Sequence, residues 1–174
     1  MRRIVSIWLP AFAIDRLRRD DRRKPQTERL NNLHDGSPFA LSAKEGQRLV
    51  IAAANRPAVE AGITPGMGVA DALAMLPTLH THPAQAERDR RALHDLARWC
   101  VRYTPWANVD GADGLWLDIT GTAHLFGGEL TMLRRITADL AKLGFTNRLG
   151  AAGTPGAACA LARYGLSGSL HKRI

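Results

Sequence analysis

Cysteine is scarce: the 174 residues hold two, Cys100 and Cys159, far apart and without C-x-x-C or Cys/His metal spacing. That excludes a disulfide scaffold and gives no zinc site. It fits a reduced, cytoplasmic protein in which both thiols are small core residues. No apolar run approaches the roughly 20 residues that cross a bilayer, so no membrane association is expected. Arg2-Arg3, Ile4 to Leu9 and Ala11-Phe12-Ala13 imitate a signal peptide, but the run is short and Pro10 breaks it. Ile4-Val5-Ser6-Ile7-Trp8-Leu9 reads instead as a buried β-strand. A P-loop and a dinucleotide fingerprint are both missing, and Ala151 to Gly156 reads as a tight strand-to-helix turn. No local Ser/His/Asp or Cys/His signature supports hydrolysis, and no repeat or low-complexity segment is present.

Acidic residues are the minority charge, 16 against 24 Lys+Arg, for a formal net charge of +8. Such an excess points to a polyanionic partner such as nucleic acid. Much of it lies early, and Arg16, Arg18, Arg19, Arg22 and Arg23 are the candidate DNA contacts. Asp15, Asp20, Asp21 and Glu28 dilute them. A solvated helix face explains the same pattern.

Pro10 opens a helix over 11–19, and the polar stretch 22–38, with Asp35-Gly36, reads as a loop. Leu49 to Ala54 is a short strand. Asn55 caps a helical turn from Pro57 to Ala61, and Thr64-Pro65-Gly66 opens a second helix with Val69, Ala70, Leu73 and Leu76 inward. Residues 86–103 carry the clearest helical period, through Leu93, Leu96, Ala97, Cys100 and Val101. Trp106 to Val109 and Leu115 to Ile119 flank Asp-Gly turn signals and form an antiparallel hairpin. A helix over 129–143 turns Leu133, Ile136, Leu140 and Leu143 inward. A strand over 146–152 and an alanine-rich helix from Thr154-Pro155 to Tyr164 follow. The expected fold is α+β with a split-βαβ, ferredoxin-like core and a small inserted lobe.

Asp110, Asp113 and Asp118 cluster on the hairpin, and carboxylates so placed are able to hold Mg²⁺ for phosphoryl chemistry. Asp110 and Asp113 each sit in turn sequence, which explains them without a metal. His80 and His82 have no acidic or thiol partner nearby in sequence and read as surface residues. Trp8, Trp99 and Trp116 lie on apolar elements, which favours core packing over base stacking for the tryptophan set that also includes Trp106.

Several segments resemble the Y-family translesion DNA polymerases, in particular their ImuB branch. They are Ser6-Ile7-Trp8-Leu9-Pro10, Ala52 to Pro57, Gly62 to Met67, Arg102 to Trp106, Asp110 to Glu129, Thr154-Pro-Gly-Ala-Ala and Ala162-Arg-Tyr-Gly. The resemblance implies a polymerase palm from 1–30 and 78–165, a fingers-like lobe over 31–77 and a tail of unknown structure over 166–174. Active members carry two metal-facing Asp on the first strand and a steric-gate aromatic. Trp8, Pro10 and Ala13 stand there. In the hairpin Asp113 survives and its Glu neighbour is Gly114. The fingers Tyr and Arg and the palm Lys that grip the triphosphate correspond to Arg56, Val59 and Ala157.

Two-metal phosphoryl transfer needs several carboxylates. The resemblance therefore implies a catalytically inactive protein with no cofactor and no metal. Its implied role is that of an adaptor in DNA-damage-induced mutagenesis and the SOS response, joining an error-prone replicative-type polymerase subunit, a RecA-like accessory protein and the sliding clamp. The family continues into a thumb, a little finger and a clamp-binding tail, none of which is matched here. DNA affinity is accordingly expected to be weak and non-specific, on the order of 10⁻⁴ to 10⁻⁶ M. Two alternatives remain at this point: a Mg-dependent nucleotidyltransferase using Asp113 with Asp110 or Asp118, and a basic module that only binds DNA weakly.

Overall fold

The computed structural model describes residues 2–30, 33 and 36–165. The elements run β1 (Ile4–Trp8), α1 (Phe12–Arg22), β2 (Phe39–Glu45), β3 (Arg48–Ala54), α2 (Arg56–Glu60), α3 (Val69–Met75), β4 (His80–Pro83), α4 (Ala86–Cys100), β5 (Ala107–Asp110), β6 (Gly114–Asp118), α5 (Glu129–Lys142), β7 (Arg148–Ala152) and α6 (Pro155–Tyr164). They divide into two units, one of residues up to Phe12 and from Glu87 onward, the other Ala13–Ala86.

In the first unit the sheet order is β5-β6-β1-β7, antiparallel throughout. This is the split-βαβ plan: β1-α4-β5, then β6-α5-β7 with β6 and β7 flanking β1. Strand side chains alternate between faces. Val5 and Ile7 of β1, with Leu115, Leu117 and Ala151, bury against Leu93, Leu96, Ala97 and Cys100 of α4 and Met132, Leu133, Ile136 and Leu140 of α5. The opposite face presents Ile4, Ser6 and Trp8 toward the side where Ile4 and Ala152 pack on Ala158 of α6. Gly150 permits that approach. A Cβ there would lie 2.3 Å from the Ala158 carbonyl oxygen and 2.5 Å from the Ala162 nitrogen.

In the second unit β2 pairs antiparallel with β3 and parallel with β4. Asn55 works as expected and does more. Its Oδ1 accepts from Ala58 N at 3.1 Å, capping α2, and from Phe39 N at 2.9 Å, while Nδ2 donates to the Ser37 carbonyl at 2.8 Å. One polar side chain thus joins the helix start to β2.

Several expectations are corrected. β2 is an additional strand, and a 3-10 turn, Gln26–Glu28, interrupts the expected loop. The unit boundaries fall at 12/13 and 86/87 rather than 30/31 and 77/78: Ile14 and Leu17 of α1 bury against Leu33, Phe39 and Leu41, and β4 pairs with β2. α3 begins at Val69, since Gly66 N donates to Ile51 O and Ile51 N to Met67 O, holding 66–67 against β3. Its inner face also differs from the expected one: Ala72 is buried, while Ala70 and Leu73 are exposed. Val101 is exposed because α4 ends at Cys100. The tail 166–174 and Asp35 of the expected Asp35-Gly36 turn lie outside the described residues.

Candidate functional site

Register brings the site together. Trp8, the last residue of β1, is the Cα partner of Gly114 on β6 and of Arg148 on β7, and Gly114 in turn faces Asp110 on β5. One row therefore crosses the sheet as Asp110, Gly114, Trp8, Arg148, on the face that α6 covers. Asp113 immediately precedes the row, with its carbonyl accepting from Leu9 N at 2.8 Å.

The Asp113 carboxylate is surrounded by donors. Trp8 Nε1 donates to Oδ2 at 2.9 Å, and Arg163 of α6 donates from NH2 to Oδ1 at 2.8 Å and from NH1 to Oδ2 at 3.3 Å. Paired bonds from a planar guanidinium to a carboxylate are the strong form of this interaction. Asp113 holds the Arg163 guanidinium well above its ordinary pKa, so this cation is permanent. The guanidinium carbons of Arg163 and Arg148 stand 5.4 and 5.6 Å from the centre of the Trp8 ring, within cation–π reach. Arg148 also donates to the Gly165 carbonyl.

The other carboxylates are placed differently. Asp118 is on the same face as Trp8 but opposite Ile4, four residues down β1 or about 13 Å away. It accepts from Thr120 N at 3.0 Å and pairs with Arg2 at 3.3 Å, and its pKa is lowered, first by the Thr120 side chain. Asp118 does not converge with Asp113. Asp110 lies against Gly114, where an added Cβ would meet its carbonyl oxygen at 2.8 Å and its Oδ2 at 3.4 Å. Among the described residues no three His, Cys, Asp or Glu side chains are grouped to hold a metal ion.

The remaining candidate positions scatter. Pro10 is exposed just beyond β1, and Ala157 is exposed in the first turn of α6, where its N–H bonds Thr154 Oγ1. In the second unit Ala13 packs beside Ile14 and Leu17. Val59 is exposed, and Arg56 donates to Glu60 at 2.6 Å, which raises its pKa. The arginine set divides. Arg16 is only 3% exposed and is bonded to Asp20 at 2.9 Å and Gln85 at 3.4 Å, which makes it an interior group. Arg18 donates to the Leu33 carbonyl and lies 3.8 Å from Asp15. Arg19 is half-buried, while Arg22 and Arg23 are exposed. Of the tryptophans, Trp106 is 70% exposed, against the packing expectation for its strand-flanking set. Trp99 carries Arg102 over its ring at 4.2 Å.

Sequence reasoning missed Arg148 and Arg163. Arg163 lies inside the Ala162-Arg-Tyr-Gly match, and one arginine there has no distinguishing spacing. Its partner Asp113 is fifty positions away in the chain.

A sequence model described as the impB/mucB/samB family matches residues 21–163. Protein ImuB of Caulobacter vibrioides (strain NA1000 / CB15N) is 51% identical over 104 residues, 60% of this chain and 23% of that protein. DNA polymerase IV of Photorhabdus laumondii is 27% identical over 140 residues, covering 80% of this chain and 37% of the polymerase. Among solved structures, the insertion ternary complex of Dbh DNA polymerase superposes with a TM-score of 0.76 at 19% identity, over 92% of this chain and 45% of that one. DinB from Sulfolobus solfataricus gives a TM-score of 0.73, also at 19% identity, over 92% and 45% of the two chains. At such identity these two speak to the fold. The matched stretches cover 23% to 45% of the length of these relatives, less than half of each.

Proposed function

The chain belongs to the impB/mucB/samB family of Y-family polymerase relatives, and on that premise we propose that it is a non-catalytic, polymerase-like adaptor in DNA-damage-induced mutagenesis and translesion synthesis. One observation carries the reading: Asp113, the surviving candidate ligand, is taken by the bidentate Arg163 and by the Trp8 indole N–H. Phosphoryl transfer draws most of its rate from cations aimed at developing charge. A divalent ion approaching Asp113 would have to displace a fixed guanidinium and an indole N–H to reach one carboxylate. The rival enzyme pairing with Asp118 is opposed by its distance along β1, and pairing with Asp110 still requires Asp113 to be released.

In this proposal the units correspond to palm-like and fingers-like parts, and the partners are an error-prone replicative-type polymerase subunit, a RecA-like accessory protein and the sliding clamp. The relative named Protein ImuB supports placing the chain in the branch whose implied role this is. No described helix is long and apolar enough to cross a membrane, and the proposed setting is the cytoplasm. The test is primer extension with Mg²⁺ or Mn²⁺, together with metal-dependent nucleotide binding. Neither is expected. Template-directed incorporation that disappears in Asp113→Ala would overturn the proposal.

A further inference from the structure

Asp113 neutralises one guanidinium, yet two stand beside the Trp8 ring. We propose that Arg148, with Arg163 beside the same Trp8 indole, forms a metal-independent site for a phosphate-class oxyanion.

Among the described residues Arg148 has no carboxylate partner, and its hydrogen bond goes to the Gly165 carbonyl. A guanidinium has five N–H donors in a planar fork, so most of its donor capacity remains. The indole face and the Gly165 bond fix where the fork sits, which lowers the entropy lost on binding an anion. The acid nearest the ring, Asp113, is balanced by Arg163. The row runs Asp110, Gly114, Trp8, Arg148 with about 5 Å between strands. Asp110 is therefore about 15 Å of sheet from Arg148, beyond the roughly 8 Å screening length at physiological salt. The Arg148 end is the cationic end. Phosphate oxygens accept from arginine forks in two-bond fashion, and Arg163, whose charge Asp113 balances, adds the N–H donors that the two bonds to Asp113 leave over.

Two sources supply this chemistry, a free phosphate such as that of a nucleotide and a phosphodiester of DNA. Either ligand would be held here without a metal ion, by residues other than Arg56, Val59 or Ala157. The inference rests on the reading that Asp113 is committed to Arg163 rather than to a cation.

The experiment follows the Trp8 indole N–H resonance by NMR, assigned through Trp8→Phe, in the presence of EDTA at fixed ionic strength. One arm adds pyrophosphate and the other an oligothymidylate without terminal phosphate. The expected result is a saturable shift in the pyrophosphate arm. Saturation in the oligonucleotide arm as well extends the ligand to diesters, and silence there restricts it to free phosphate. Arg148→Gln should weaken binding about tenfold, the loss of one hydrogen bond to a charged group. Arg148→Lys should recover most of the affinity, and Arg56→Gln should leave it unchanged. Absence of saturation in both arms overturns the proposal. So does equal weakening in Arg148→Gln and Arg148→Lys, which would trace the effect to the broken Gly165 hydrogen bond. A separate Mg²⁺ titration without EDTA distinguishes the two readings. A Mg²⁺-driven loss of the Trp8 to Asp113 bond sinks the commitment of Asp113, whereas silence toward both Mg²⁺ and phosphate sinks the anion site alone.

Discussion

Gly150→Ala tests whether close packing between β7 and α6 is what assembles the site. The added methyl would lie 2.3 Å from the Ala158 oxygen, 2.5 Å from the Ala162 nitrogen and 2.7 Å from the Leu161 Cβ. Ordinary carbon-to-oxygen approaches begin near about 3.3 Å, so α6 must retreat by about 1 Å. The nearest atoms are helix backbone, which cannot swing aside as a side chain would. Overpacking of this kind costs about 1–3 kcal/mol, and removing a strand glycine returns about 0.5–1 kcal/mol. Backbone collision places the cost at the upper end, for a net loss of about 2 kcal/mol. In a chain of this size that lowers Tm by about 4–8 °C, measurable by circular dichroism. Retreat of α6 also draws Arg163 away from Asp113, so the Trp8 indole N–H resonance should move in the folded variant. An unchanged or raised Tm would refute the close-packing argument. A lowered Tm with the Trp8 resonance in place would detach the packing from the site.

Gly114→Glu restores a carboxylate to the hairpin but drives its Cβ against the Asp110 carbonyl at 2.8 Å, so a loss of about 1–3 kcal/mol is expected by urea denaturation, with no polymerase activity gained. Arg16→Gln should destabilise by about 1–3 kcal/mol, because Asp20 and Gln85 lose their partner, without changing DNA affinity. Arg22→Gln with Arg23→Gln should instead leave Tm unchanged and reduce the salt dependence of DNA binding, by about one unit of slope for each phosphate no longer neutralised. In alkali, Cys100 and Tyr103 act together. Burial pushes the Cys100 thiol up to about 12 and raises Tyr103, which also bonds Asp139 at 2.7 Å. The folded state holds both protons more tightly than the unfolded chain. Their contribution is complete below the ordinary thiol value and is lost as pH rises from there toward about 12. Stability should therefore fall through that window, and less steeply in Tyr103→Phe. A flat profile would contradict the assignment.

Much of the fold was legible because its signals are local. The period of α4 survives in Leu93, Leu96, Ala97 and Cys100, and the caps Asn55 and Thr154 sit where the chain turns into helix. β2 was less legible: Phe39 and Leu41 alternate inward, but Ala, Ser and Lys between and after them carry little strand preference. α3 failed in phase because Thr64-Pro65-Gly66 looks like a helix start, while hydrogen bonds to Ile51 keep that segment on the sheet. The burial of Arg16 was not legible, because a charged side chain four residues from Asp20 reads as solvated surface, and only the packing of α1 shows it to be interior. At the site, Trp8 and Asp113 stood out through the resemblance. Arg148 and Arg163 did not, since their roles arise from strand register and from the seating of α6.

Why an acid persists at 113 then has an answer that requires no metal. Asp113 receives bonds from three sources: its carbonyl takes Leu9 N just after β1, its carboxylate takes the Trp8 indole, and Arg163 reaches it from α6. Asn at this position would keep one acceptor oxygen and lose the charge that balances Arg163, leaving a half-buried guanidinium unpaired. Partly exposed pairs contribute about 1 kcal/mol or less by Coulomb attraction, so the larger effect is geometric: the carboxylate is the group that Arg163 and Trp8 share. Removing it in Asp113→Ala should cost little stability but free α6 from the hairpin, read as faster amide hydrogen exchange over 159–164 with β1 exchange unchanged. If exchange in α6 stays at its original rate, the packing of Gly150 alone seats the helix and Asp113 has no structural role there.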